Sequence, residues 1–250
     1  MSAAPARRVA IVQSSYIPWK GYFDLIDRCD EFVLYDNVQY TRRDWRNRNR
    51  IKTARGVRWL TIPVRSKGRY LQRIDETEIE DPGWARSHWA QVAQSYAGAE
   101  HFDDHRERIE ELYAVAAKET MLVRVNELFI RALCELLGIE TRVSRLPDSA
   151  LAGAGPTERL VSACRALGAS EYVSGPAARS YLDVERFDQA GVSVSWMDYS
   201  DYPEYPQPFP PFEHGVSVLD LLFCTGPLGF AAIRASSAVV TVPHHRVETP

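Results

Sequence analysis

Apolar residues along the chain fall into short continuous runs that alternate with runs of helical period. Val9-Ala10-Ile11-Val12-Gln13 is apolar up to its last residue, the pattern of a buried strand whose polar C-terminal end opens onto a site. After Pro18, the residues Tyr22, Phe23, Leu25, Ile26 and Cys29 recur at helical spacing, and Glu31 to Asp36 reads as a second buried strand. Strand, loop, helix and strand make a βαβ unit, which is parallel and right-handed. Ligands of such units bind beyond the carboxyl ends of the strands, where Gln13 and Asp36 fall.

Val57 to Val64 is the next strand-like run. Three helical patterns follow: Trp84 to Tyr96; Asp104 to Ala117, opened by an Asp104-x-x-Glu107 capping box; and Met121 to Leu137, closed by Gly138. The alternation then resumes with a strand over Glu140 to Ser144, a helix entered through Pro156, a strand over Glu171 to Ser174, a short helix, and a strand over Val192 to Met197. Tyr199 to Phe212 predicts an extended loop, Val216 to Phe223 a short buried helix, and the pattern weakens after Arg234. The expected architecture is α/β, a parallel-type central sheet with flanking helices and a helical insertion. A single domain over 1–250 would then hold an α/β half at 8–64, a helical region at 82–137 and a second α/β half at 140–234. The layout is similar to that of nucleotidyltransferase-like domains, although Trp19 and Tyr22 stand where those domains carry histidines.

Composition changes this picture little. At 250 residues, 45% hydrophobic and 25% charged, the chain excludes the disordered, collagenous and disulfide-scaffold classes. A net charge of -3 argues against a surface built for nucleic acid. Cys29, Cys134, Cys164 and Cys224 form no CxxC pair, so a zinc ribbon or thioredoxin-type site is not written here and a reducing cytoplasm is the expected home. No leader pattern is read in the first seven residues and no uninterrupted apolar run approaches membrane-spanning length, so no membrane span is expected.

Charge distribution changes it more. Arg42, Arg43, Arg46, Arg48, Arg50, Lys52, Arg55 and Arg58 stand against the single acid Asp44, a local charge of about +7 in a chain otherwise near -10. Trp45 lies among them, and Asn47 and Asn49 alternate with Arg48 and Arg50, so alternate side chains share a face if the run is extended. Guanidinium forks bind phosphate or carboxylate, asparagine supplies a donor and an acceptor, and tryptophan offers a stacking face. The competing reading is a solvated surface loop. Gln13, Tyr16 and Trp19 occupy the first strand-to-helix loop, and with Gln39, Trp45, Asn47, Arg48 and Arg50 they make up the expected substrate-binding set. Ser174, in a Ser174-Gly175-Pro176 turn, is either a further anion contact or part of a plain tight turn. Gln13, Asp36, Gln39, Arg48 and Arg50 are expected to converge on one cleft.

No GxGxxG, P-loop or GxSxG sequence is present. Of His88, His101, His105, His214, His244 and His245, none pairs at a recognised metal spacing, and no metal or other cofactor is expected. His88 and Asp36 are the candidate catalytic bases by residue type, with a structural helical histidine as the competing reading of His88. Cys224 is a further, weaker nucleophile candidate.

Several of these residues fall into an ordered series. Val12-Gln13-x-x-Tyr16-x-Pro18-Trp19-x-Gly21-Tyr22-Phe23 is followed by Asp36-x-Val38-Gln39-Tyr40, by Trp45-Arg46-Asn47-Arg48-Asn49-Arg50-Ile51 and by Trp59-Leu60-Thr61-x-Pro63-Val64. Trp84, His88, Tyr96, Tyr172-x-Ser174-Gly175 and Ser217-x-Leu219-Asp220-Leu221-Leu222-Phe223 continue it. The series resembles the WbqC-like family over roughly residues 8 to 227, departing where Ser14 replaces the proline usual after the glutamine. The resemblance implies a place in bacterial surface-polysaccharide or natural-product biosynthesis. It implies modification of a sugar or small metabolite, such as acyl or aminoacyl transfer to an amine.

The leading expectation is therefore a cytoplasmic transferase acting on an activated, phosphate-bearing small molecule. The anionic substrate would be a nucleotide-sugar or a carrier-protein thioester, the latter bringing a carrier protein as partner; neither nucleic acid nor a membrane is expected as one. The alternatives are a non-catalytic binding protein that uses the Trp/Asn/Arg patch, and a nucleotide-dependent enzyme.

Overall fold

The structure, a computed structural model, describes residues 7–153 and 155–242. His244, His245 and the first six residues lie outside them. In chain order the strands are β1 (Arg8–Val12), β2 (Glu31–Leu34), β3 (Arg48–Thr53), β4 (Gly56–Thr61), β5 (Arg142–Arg145), β6 (Glu171–Ser174), β7 (Ser193–Asp198) and β8 (Ala238–Thr241). The helices are α1 (Lys20–Asp27), α2 (Trp84–Tyr96), α3 (Phe102–Ala116), α4 (Leu122–Leu136), α5 (Pro156–Ala166), α6 (Val184–Gln189) and α7 (Val218–Ser236).

Six strands form the central sheet in the order β5-β2-β1-β6-β7-β8, parallel except for β8, which runs antiparallel to β7. The chain winds outward from β1 through β2 to β5, returns to the other side of β1 as β6, and continues to β7 and β8. Winding thus reverses between β1 and β6, and a doubly wound sheet receives ligands outside the carboxyl ends of the strands at such a reversal.

The pleat divides the core. Ala10, Phe32, Leu34, Val173 and Met197 face the larger cluster, shared with α1, the long helices and α7. Val9, Ile11, Val33, Tyr172, Val194 and Trp196 face the smaller one beneath α5 and α6. Strands buried on both faces have near-continuous apolar sequences, which is why β1 and β2 were legible.

The structure departs from or extends the sequence pattern at four places. The run after Gly56 does not join the central sheet: β3 and β4 pair only with each other, as an antiparallel hairpin from Arg48↔Thr61 to Thr53↔Gly56. The basic stretch is therefore half strand, its charges concealing the alternation of β3. Helix α3 starts at Phe102, so Asp104 is a first-turn acid and not an N-cap, and its carboxylate lies 2.9 Å from His101 Nδ1. The short helix expected at Val216 to Phe223 continues to Ser236, kinked where Gly226 adopts φ +60 ahead of Pro227. Beyond it, β8 closes the edge of the sheet.

Helix α7 is long and apolar enough to cross a membrane by length and composition, with a mean hydropathy of 1.5 over its most apolar window. It packs on α1 and α3, and more than half of that window is buried. Its apolarity is that of a core helix.

Candidate functional site

The turn after β1, residues 13–19, is gripped by the segment inserted between β2 and β5. Ser14 N–H donates to Asp36 Oδ1 at 2.8 Å, and Arg46 Nη1 donates to the Ser14 carbonyl at 3.2 Å. Asn126 of α4 donates to Ser14 Oγ at 3.0 Å and to the Arg46 carbonyl at 2.9 Å. Tyr16 N–H donates to the Trp45 carbonyl at 3.1 Å. The Asn49 amide reaches two successive carbonyls, Tyr16 at 3.0 Å and Ile17 at 2.9 Å. Between them Ile17 is held at φ +36, left-handed backbone that a β-branched residue avoids and keeps only where its surroundings over-determine it.

The turn runs into α1 through Trp19. A Cβ on Gly21 would sit 2.3 Å from the Trp19 ring, so glycine is what lets the indole fold over the start of the helix.

Outside this turn is a cavity of about 340 Å³. Trp19, Tyr22 and Trp45 supply rings, Val12 and Pro18 aliphatic surface, and Arg46 and Arg50 guanidinium groups; Gly215 closes one side. Trp45 and Trp59 lie 5.2 Å apart, Arg48 sits 4.1 Å over the Trp59 ring, and Arg50 lies 5.6 Å from Trp45 and 5.7 Å from Trp59. Arg50 Nε donates to the Gly215 carbonyl at 2.9 Å, and Nη2 is 3.8 Å from Glu213 Oε1. Arg46 is buried, and its Nε has no hydrogen-bond partner, with the Asp44 carboxylate 3.7 Å away.

The expected residues do not share one rim. Trp19, Trp45 and Arg50 line the cavity. Gln13 is half-buried at the end of β1, where its carbonyl accepts from the Tyr22 hydroxyl at 3.1 Å. Gln39 is exposed and turns away, donating to the Tyr70 carbonyl at 2.7 Å. Arg48 donates to the Arg43 carbonyl, and Asn47 to the Ile62 carbonyl at 2.8 Å. Ser174 is buried at the end of β6, outside the cavity lining.

Asp36 and His88 also stand outside that lining. Burial raises the Asp36 carboxyl above the usual range, against the Ser14 hydrogen bonds and the Arg46 charge. His88 is buried in α2, with Nδ1 3.0 Å from the Tyr16 hydroxyl, which is in turn 2.9 Å from the Tyr113 hydroxyl. Burial lowers the His88 pKa to about 4, against a hydrogen bond to the Thr61 backbone, so the imidazole is neutral at pH 7. Cys224 is buried, and desolvation with the Asp220 charge pushes its thiol up, away from the activated state of a nucleophile.

Two charged residues beside the cavity are not among the expected site residues. Lys20, 2% exposed, donates to the His214 carbonyl at 3.0 Å, and its Nζ lies 5.6 Å from the Tyr202 ring, 5.7 Å from Tyr205 and Phe212, and 6.0 Å from Trp19. Desolvation lowers its pKa to about 8, opposed by Asp220 and Glu213. Asp220, buried in α7, accepts from Tyr96 at 2.8 Å and from Tyr205 and Gln207 at 2.7 Å each. These contacts fasten segment 199–217 over α1 and place Gly215 at the cavity. A charge inside an otherwise apolar run, as at Asp220, was the available signal.

A family model described as the WbqC-like protein family matches residues 13–231. The Mycobacterium tuberculosis (strain ATCC 25618 / H37Rv) protein Rv1507c, described as uncharacterized, is 49% identical over 220 residues, which are 88% of this chain and 94% of that relative. No solved structure matches the chain.

Proposed function

For a chain that belongs to the WbqC-like protein family, we propose a transferase that binds an activated, phosphate-bearing small molecule in the Trp19–Trp45–Arg50 cavity. The observation that carries this reading is the cavity itself. It sets aromatic walls beside a buried guanidinium with an unpartnered Nε, next to the strained turn that follows β1. Rings take a planar or apolar portion, and Arg46 and Arg50 take negative charge.

The transfer proposed is of an acyl or aminoacyl group to the amine of a sugar or metabolite. The amine nitrogen attacks the acyl carbonyl of a thioester, a C–N bond forms and the C–S bond breaks. The thiolate departs with the bonding electron pair, and the proton lost by nitrogen passes through solvent to it. The chain contributes by holding both reactants in line. Asp36 and His88 are positioning residues in this scheme, Asp36 acting through Ser14 and His88 through Tyr16.

The same reading places the protein in the cytoplasm as one domain working without a metal or redox cofactor. A carrier protein is the partner where the donor is its thioester, and neither nucleic acid nor a membrane is a partner. One observation favours a second reading, a nucleotide-dependent enzyme: the winding reverses beside the cavity, between β1 and β6.

Calorimetry with nucleotide-sugars and with acyl-coenzyme A thioesters tests the proposal. A member of the panel should bind the native protein, and Trp45→Ala and Arg50→Ala should each weaken it by about tenfold or more without lowering the melting temperature. Turnover with an added amine then separates an enzyme from a binding protein. Absence of binding across the panel, or unchanged affinity in both variants, would overturn the reading.

A further inference from the structure

Arginines of the basic stretch differ in what they do. Arg46, Arg48 and Arg50 each donate to a carbonyl of their own chain, Arg48 also lies over the Trp59 ring, and Arg46 and Arg50 line the first cavity. Arg55 and Arg58 make no side-chain hydrogen bond and no ion pair among the described residues. Both line a groove of about 360 Å³ between the tip of the β3–β4 hairpin and α2, shared with Gln91, Gln94, Ser95 and Phe209.

No acidic residue lines this groove. Two like charges facing one space repel, and an anion placed between them converts that repulsion into two attractions. Each guanidinium offers a fork of N–H donors, and the Gln94 amide beside them adds a neutral donor suited to phosphate oxygens, while the Gln91 amide and Ser95 hydroxyl donate within α2. At one side Phe209 is held at φ +62, a backbone conformation unusual for an aromatic residue, and the residue is 39% exposed.

We propose that this groove is a second binding site, taking the phosphate group of a small phosphorylated ligand on Arg55 and Arg58, with the organic part against Phe209. The site has no lining residue in common with the Trp19–Trp45–Arg50 cavity. Its test therefore stands apart from that of the proposed transferase. Nucleotides and phosphopantetheine share the required chemistry, and separate probes distinguish them.

The experiment is calorimetric titration of the full chain with inorganic pyrophosphate, ADP and 4′-phosphopantetheine. Pyrophosphate should bind, and the double variant Arg55→Ala/Arg58→Ala should weaken it at least tenfold with an unchanged melting temperature. Phe209→Ala should weaken ADP or phosphopantetheine several-fold and pyrophosphate not at all; the probe that responds identifies the source. Failure of pyrophosphate to bind, or equal binding by the double variant, would overturn the second site. So would a Phe209→Ala protein that binds both organic probes normally.

Discussion

The turns after β1 and after β6 occupy equivalent places, one on each side of the reversal of winding, yet they are built differently. In the second, Ser174-Gly175 leads into a 3-10 turn over Pro176–Ser180 whose hydrogen bonds stay local: Ala178 N–H to Gly175, Tyr181 and Leu182 N–H to Ala178, and Ser180 Oγ to Ala177. In the first, side chains inserted between β2 and β5 grip Ser14, Tyr16 and Ile17, Val218 N–H donates to the Pro18 carbonyl at 2.8 Å, and the backbone inside these clamps is strained at Ile17. Position in the sheet makes both turns eligible for a site. Only the one gripped from outside is held rigidly beside a cavity with aromatic walls.

The sharpest test of that contrast is Asn49→Ala. It leaves the Tyr16 and Ile17 carbonyls buried without this donor, at a cost of about 2 to 5 kcal/mol for two such groups. Urea unfolding measures it, and a loss as small as that at Ser174 would erase the difference between the turns.

A second effect of comparable size is set by pH beneath the same turn. The His88 pKa is about 4 in the fold against 6.5 unperturbed, so between these values the unfolded chain binds more protons. The contribution is fully present above pH 6.5 and is lost as pH falls towards 4, amounting to about 3 kcal/mol. Unfolding midpoints across this range should show a slope in the native protein that His88→Gln flattens; an unflattened slope would assign the acid sensitivity to other groups.

Lys20, the residue that follows the first turn, obeys the same logic at higher pH. Its pKa of about 8 lies below the unperturbed 10.5, so the unfolded chain again holds more protons and stability rises as pH climbs from 8 to 10.5. Because burying the ammonium is itself costly, Lys20→Met should cost about 1 kcal/mol or less at pH 7. Denaturant melts of variant and native protein at pH 7 and 9 check both statements, the native protein gaining on the variant at the higher pH.

The smallest change belongs to the second turn. Ser174→Ala should alter stability by less than about 1 kcal/mol in the same urea assay. A larger loss would show that the β6 turn is clamped too.

How far the sequence carried the fold depended on how each element is stabilised. Helices α2 and α4 were legible within a residue or so because periodic apolar faces determine them locally. Strand β3 was missed because Arg48, Arg50 and Lys52 stand where a strand pattern calls for solvent or apolar neighbours. Their accommodation depends on Trp59, Gly215 and Pro211, all distant in sequence from at least one of them. Trp19, Trp45 and Arg50, named in the sequence for their position and residue chemistry, line the cavity. Asn47, expected there for the same reason, bonds the Ile62 carbonyl instead, since an amide serves a carbonyl as readily as a ligand.

The sequence by itself determined the α/β alternation, the buried strands β1 and β2, the helical insertion and the place of the basic tryptophan-bearing stretch. Each of these follows from local periodicity or local charge. Only the tertiary structure decided that winding reverses between β1 and β6, that Asn49 fastens the strained turn, and that Lys20 and Asp220 hold segment 199–217 beside the cavity. It also decided that Arg55 and Arg58 face one groove. The physical reason is that pairing and burial are properties of partners brought together across long stretches of chain, and the pattern of residues along one segment does not record what that segment will meet.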